Sequence, residues 1–255
     1  MDILEIARRE GRVDVEGLAV RFDVTPQTIR KDLNDLCDME KLNRVHGGAV
    51  YPSNTVNVAY QARRDIAADG KARIAATVAS LIPDNSSLIL NIGTTTEEVA
   101  QALRRHQGLM VITNNLNVAY ILADAPGVEV VVTGGMVRKT DGGIVGAAAV
   151  DLIRQFKVDY AVVGTSAIDE EGTLLDFDYR EVRVSQAILA QARTKILVAD
   201  STKFERRAPV QIGQMSDIDM FVTDAPVPSG VAEAIASSGV EVIVAAEQPA
   251  GQDAS

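Results

Sequence analysis

The chain is poor in the residues that metal and thiol chemistry require. It has one cysteine, Cys37, and two histidines among 255 residues. A single thiol cannot close an intrachain disulfide, and so few imidazoles leave it without zinc partners, so Cys37 reads as packing. No metal and no cofactor is expected. Apolar runs of membrane-spanning length are missing, and the charged, helically periodic start MDILEIARREG does not resemble a secretory signal, which points to a cytoplasmic protein. Positive charge is also short, with 25 Lys and Arg against 35 Asp and Glu and a net charge of −10. Residues 1–50 share the deficit, 8 basic against 10 acidic. Such a balance disfavours loose, sequence-independent adhesion to phosphate backbones, so any nucleic-acid binding must come from where individual charges sit. What the chain does have is apolar mass, 47% of its residues. That suffices for one large core or for a small domain beside a larger one.

Within the first fifty residues the spacing is informative. Val15, Leu18, Ala19 and Phe22 fall at i, i+3, i+4 and i+7, one face of an amphipathic helix. Gly17 interrupts it at a cost of ~1 kcal/mol relative to Ala. Asp23 and Val24 make a turn, Thr25 suits an N-cap and Pro26 the first helical position. Ile29, Leu33 and Leu36 then face inward, leaving Gln27, Thr28, Arg30, Lys31 and Asn34 outward. Arg pairs with guanine and Gln with adenine in the major groove, where the second helix of a helix-turn-helix lies. Helix spacing alone fits equally a helical hairpin with a solvated face. The following segment, LNRVHGGAVY, alternates around Gly47 and Gly48, a pair suited to a hairpin turn, and adds Arg44 and His46 as contacts to the DNA backbone or minor groove. Residues 1–51 therefore read as a winged helix-turn-helix.

The stretch 52–70, PSNTVNVAYQARRDIAADG, is polar and weakly periodic and reads as a linker. From Lys71 to Ser255 seven apolar runs, SLILN, LMVIT, VEVVVT, DYAVVG, TKILVAD, DMFVTD and VEVIVA, alternate with helical stretches. Strands apolar throughout, separated by helices, imply a mostly parallel sheet covered on both faces, a Rossmann-like α/β domain. Ligands of such sheets bind beyond the carboxyl ends of the strands. The strings found there, IGTTTEE, TNNLN, TGGMVRKTDGG, TSAID and DSTKF, nominate Gly93, Thr94, Thr95, Thr113, Asn114, Asn115, Gly134, Gly135, Asp141, Gly142, Thr165, Asp200 and Lys203. The Gly93–Thr96 turn offers amides and a helix dipole to an anion, and Lys203 a positive charge. Each element has a plainer use. Thr95 and Glu98 can form a capping box, Glu97 and Glu98 repel a phosphate, Asn114 and Asn115 can cap the next helix, and Gly134 and Gly135 can simply turn the chain.

TIRKDLNDL followed by RVHGGA, with NIGTTTEEVA, TNNLNVA, DGGIVG, LLDFDYREVR and DSTKF, resembles the DeoR-type family of bacterial transcriptional repressors over nearly the whole chain. The resemblance implies a dimeric or tetrameric repressor of a carbon-metabolism regulon that binds operator DNA and is induced by a phosphorylated metabolite, glycerol-3-phosphate before other sugar phosphates. It also implies a sensor folded like ribose-phosphate isomerases and coenzyme A transferases, and a translation start upstream, since the first helix is short for the family. One position departs: Asn91 stands where an Asp commonly precedes IGTT. The competing class is an isomerase-like enzyme with Asp176, Asp178, Glu181 and Lys203 in catalytic roles. His46 in the wing and His106 at an exposed helix end form no Ser-His or Cys-His pairing that would support it.

Overall fold

The computed structural model of the protein describes residues 3–10, 12–39, 41–45, 47–50 and 60–246, the side chains of 8–10, 43 and 50 excepted. The chain divides into two compact units, Met1–Val56 and Asn57–Ser255. In the first, α1 (Ile3–Glu10), β1 (Arg12–Asp14), α2 (Val15–Phe22), α3 (Pro26–Asp38), β2 (Asn43–Val45) and β3 (Gly48–Val50) enclose one core. Ile6, Val15, Leu18, Ile29, Leu33 and Leu42 meet in it, with Phe22, Leu36 and Cys37 packed at its margin. Thr25 caps α3 by accepting from the Thr28 amide at 3.2 Å, and Asp14 caps α2 by accepting from the Gly17 amide at 2.7 Å. A Cβ at Gly17 would lie 2.9 Å from the Asp14 carboxylate. The helix-weakening glycine thus makes room for the cap.

The wing is a three-stranded antiparallel sheet, β1-β3-β2. Its strand β1 carries no signal of its own in the sequence. Only Gly47, with φ +79°, belongs to the hairpin turn; Gly48, expected beside it there, lies in β3 opposite Asp14. A Cβ at Gly48 would stand 2.1 Å from the Val13 carbonyl oxygen, so β1 approaches too closely for any side chain. His46 lies outside the described residues.

The second unit runs α4 (Tyr60–Asp65), α5 (Ala68–Leu81), β4 (Ser87–Leu90), α6 (Thr94–Leu103), β5 (Leu109–Thr113), α7 (Leu116–Leu122), β6 (Val128–Val132), β7 (Met136–Val137), β8 (Ile144–Val145), α8 (Ala147–Ile153), β9 (Val158–Gly164), β10 (Ala167–Ile168), β11 (Thr173–Asp176), α9 (Tyr179–Leu189), β12 (Ala192–Val198), β13 (Val210–Gln214), β14 (Met220–Thr223), α10 (Ser229–Ser238) and β15 (Glu241–Val244). The seven apolar runs all enter one sheet, ordered β15-β14-β12-β9-β4-β5-β6, and every pairing in it is parallel. Successive side chains of β4 feed opposite cores: Ile89 packs with residues of α8, α9 and α10, Leu88 and Leu90 with residues of α5, α6 and α7. Burial on both faces is why the central runs lack polar alternation, while the edge strands β6 and β15 keep exposed positions. Strand order reverses between β4 and β9, which opens a crevice at their carboxyl ends.

Three parts of this unit differ from the sequence reading. The strands β7, β8 and β10 have two residues each, too short to register as patterns, and β11 and β13 of the small β10-β11-β13 sheet lack the long apolar run that marked the main sheet. Residues 60–70, expected as linker, are largely helical and belong to the second unit. His106 is half-buried, its Nε2 3.0 Å from the Ile82 carbonyl oxygen and 3.1 Å from that of Ala79. Among the described residues no helix is long and apolar enough to cross a membrane.

Candidate functional site

Burial of Ile29 and Leu33 turns the polar side of α3 outward, and Gln27, Thr28, Arg30, Lys31 and Asn34 are all exposed. The Thr25 and Thr28 hydroxyls lie 2.9 Å apart, so these two fix the helix start. Arg30 sits 3.6 Å from Glu16, an exposed pair that water and salt weaken enough for a base edge to displace it. Arg44 is exposed on β2. The outward set is therefore presented as a helix-turn-helix requires.

At the reversal of the sheet, β4 runs through Asn91 into Gly93, which N-caps α6 at φ +153° and ψ 150°, a backbone conformation suited to glycine. The capping box expected between Thr95 and Glu98 is not formed. The helix begins two residues earlier, with Gly93 and not Thr95 as N-cap, and among the described residues no side chain caps it. Thr96 Oγ1 donates instead to the carbonyls of Asn91 and Gly93, each at 2.8 Å. Glu97 is turned aside and buried, accepting from the Tyr60 hydroxyl at 2.7 Å, Asn115 Nδ2 at 3.1 Å and Asn117 Nδ2 at 3.0 Å. The first amides of α6, beside the buried Thr94 and Thr95, have no side-chain cap among the described residues, the arrangement that suits a helix start to an anion.

Lys203, Lys71 and Arg206 gather around Asp200 near this turn, with Arg63 close to them. Lys203, 9% exposed, lies in a single 3-10 turn, Ser201–Glu205, with Nζ 3.7 Å from Asp200 Oδ2. Burial pushes its ammonium down to about 8, aided by Arg206, Lys71 and Arg63. Lys71, 2% exposed, donates to the carbonyls of Arg63 and Ile66 and is likewise pushed down by burial. Thr94 Oγ1 lies 3.4 Å from the Arg63 carbonyl, which ties the α6 turn to this group. Asp200 is fully buried, accepts from the Thr202 amide at 3.2 Å, and its Oδ2 finds no hydrogen-bond partner among the described residues.

The remaining nominated residues mostly hold loops. Thr113 donates to the Leu90 carbonyl at 2.8 Å and accepts from the Asn115 amide at 3.0 Å. Asn115 caps α7, and Thr165 donates to the carbonyls of Ala167 and Leu175, each at 2.9 Å. Asn114 donates to the Ile144 carbonyl at 3.2 Å while its Oδ1 stays buried without a partner among the described residues. Gly134 and Gly135 are exposed on the way into β7, and Gly142 turns the chain toward β8. Asp141 sits in an ion cluster, held by Arg138 and by Arg63 at 3.3 Å. Asn91 is buried, donating to Ser185 Oγ at 2.8 Å, a bond that a carboxylate lacks the proton to make. The carboxylates nominated for catalysis are engaged. Asp178 caps α9 and binds Arg180 at 2.8 Å, Glu181 pairs with Arg138, and Asp176 accepts from the Phe177 amide at 2.6 Å. Burial raises Asp176, and burial together with Asp176 raises Glu181.

Tyr60, Arg63, Lys71, Arg138 and Arg206 escaped the sequence reading. One signal was available: Lys71 precedes Ile74, Ala75 and Val78 by three, four and seven positions, a lysine on the apolar stripe of its own helix.

A winged helix-turn-helix followed by a doubly wound sheet with a cation-lined crevice defines a ligand-responsive transcription regulator. Residues 1–55 match the DeoR-like helix-turn-helix domain and residues 66–225 the DeoR C terminal sensor domain. The glycerol-3-phosphate regulon repressor of Escherichia coli (strain K12) is 43% identical over 94% of this chain and 95% of its own. That of Haemophilus influenzae is 44% identical over 90% and 89%. The HTH-type transcriptional repressor CsqR of Escherichia coli (strain K12) is 38% identical over 96% and 94%. A solved ribose 5-phosphate isomerase from Methanocaldococcus jannaschii overlays 54% of this chain and 55% of its own at 14% identity and a TM-score of 0.41, which says nothing of activity. The chain belongs to the DeoR family of transcriptional repressors. It is a DNA-binding regulator and not an enzyme.

Proposed function

We propose that this repressor acts in the cytoplasm as a homo-oligomer on the operators of a carbon-metabolism regulon, and that glycerol-3-phosphate is the inducer that releases it. Gln27, Arg30, Lys31 and Asn34 read bases, Thr25 and Thr28 fix the helix start, and Arg44 and His46 of the wing contact the backbone or minor groove. The phosphate sits against the Gly93–Thr95 turn with Lys203 as its counter-charge. The observation that carries this reading is the start of α6, which no described side chain caps, beside a cation gathering that includes Lys203 and Lys71 at 9% and 2% exposure. Buried charge of one sign is costly until an opposite charge arrives, so such a pocket favours a phosphoryl group. The three-carbon skeleton is supported by the names of the two glycerol-3-phosphate regulon repressors that match most of this chain.

A thermal-shift panel of glycerol-3-phosphate against pentose and hexose phosphates tests it. Ligand at 100 times its dissociation constant adds ~2.7 kcal/mol to stability. A shift with glycerol-3-phosphate alone supports the assignment, and a larger shift with a hexose phosphate replaces the inducer.

A further inference from the structure

The helix α4 has only six residues, none of them buried. A helix so short does not persist without tertiary contacts, and those that hold this one are polar. The Tyr60 hydroxyl donates to Glu97 of α6 at 2.7 Å and accepts from Asn117 of α7 at 3.0 Å. Arg63 reaches Asp141 at 3.3 Å. Lys71 binds the carbonyls of Arg63 and Ile66 and so satisfies the C-terminal end of the helix, while Thr94 Oγ1 approaches the Arg63 carbonyl at 3.4 Å. These partners stand in the first turns of α5, α6 and α7 and at Asp141 between β7 and β8, around the anion site proposed above. The attachment of α4 is therefore set by the charge balance of the site.

Arg63 is the least satisfied member. Its Nε is buried and finds no hydrogen-bond partner among the described residues. Its carboxylate partner Asp141 is gripped more closely by Arg138, through both Nε and NH2. Asp141 loses little if Arg63 leaves. A phosphoryl group among Lys203, Lys71 and the α6 amides offers Arg63 two or three charged oxygens in fork geometry, a stronger acceptor than a carboxylate already shared.

We propose that α4 is the element that couples inducer to operator: the bound anion draws Arg63 from Asp141, and the shift of α4 passes along the chain to the DNA-binding unit that precedes it. Arg63 is then both a ligand contact and the origin of the signal. This rests on the anion site proposed above. Ligand and DNA are linked only through such a differential contact, because an inducer that touched both states alike would release nothing.

The test uses the full chain with two readouts, ligand affinity by calorimetry and operator release by fluorescence anisotropy at saturating ligand. Arg63→Gln should weaken glycerol-3-phosphate about ten-fold and leave much of the operator bound even when the site is full. Tyr60→Phe, which removes the hydroxyl bonded to Glu97 and Asn117 and so loosens α4, should lower the ratio of the ligand concentration needed for release to the dissociation constant measured without DNA. Full release by saturated Arg63→Gln, or unchanged affinity, overturns the proposal. Amide exchange of residues 60–66 in the unmodified protein, with and without inorganic phosphate, separates this idea from the choice of inducer. Unchanged exchange overturns the coupling role of α4. A phosphate response without a glycerol-3-phosphate response supports the coupling and overturns only the inducer.

Discussion

In the function proposed, Arg30 serves the operator and Lys203 the inducer, and each makes a separable prediction. Arg30→Ala removes a side chain whose only described ion pair is the exposed one with Glu16, so stability should hardly change. Operator affinity should fall by ~1 to 3 kcal/mol, the value of a bidentate base contact, with random DNA little affected. Equal losses on both DNAs in a filter-binding comparison would make Arg30 a phosphate contact. Lys203→Ala should leave repression intact and raise the inducer concentration for release by one to two decades, since a charge-assisted contact is worth ~1.5 to 3 kcal/mol. An unshifted midpoint would remove Lys203 from the site. Asp200 at 3.7 Å compensates only part of the charge here, because Lys71 and Arg206 draw on the same carboxylate. The same lysine sets a pH dependence. Its ammonium titrates near 8 when folded and at the ordinary 10.5 when unfolded. Between those values the unfolded chain holds a proton that the folded chain has released, so this group's contribution to stability rises with pH across that window. Inducer affinity should move the opposite way, falling as pH passes upward through 8 and the counter-charge is lost. Release midpoints at pH 7 and 9 check the sign.

At the scale of elements, the predicted α3 rests on a cap that spacing alone identified. Thr25→Ala should cost about 1 kcal/mol by denaturant titration, since the Thr28 amide and hydroxyl both lose their partner. A loss below a few tenths would show that tertiary packing holds the helix start unaided. Elements were legible where apolar residues repeat. Ile29 with Leu33 announces α3, and SLILN announces β4. They were illegible where polar contacts do the holding. Tyr60 and Arg63 have no periodic signature, because their partners Glu97 and Asp141 lie 37 and 78 residues away in sequence, so a helix read as linker. The α6 start misled in the other direction. Thr95 with Glu98 satisfies the capping-box spacing, but Gly93, at a φ few other residues adopt, caps the helix two residues before that box would.

For the whole molecule, one helix-turn-helix covers a single half-site, and a symmetric operator requires two. Light scattering of the full chain should show a dimer or tetramer at micromolar concentration, and a monomer alone would defeat the proposal of self-association. The pairing of β1 with β3 carries a further consequence, for exchange of parts between repressors. Val13 and Asp14 lie opposite Ala49 and Gly48, and the Val15 amide donates to the Gly47 carbonyl at 3.0 Å. The segment that enters α2 is thus stitched to the wing tip, and α3 is framed between the two. Operator preference is for this reason not portable as a helix. A chimera that grafts residues 26–38 alone would set a foreign reading surface on a frame cut for another. One that transfers residues 12–50 as a block carries its own stitching, and should bring the donor's operator with it.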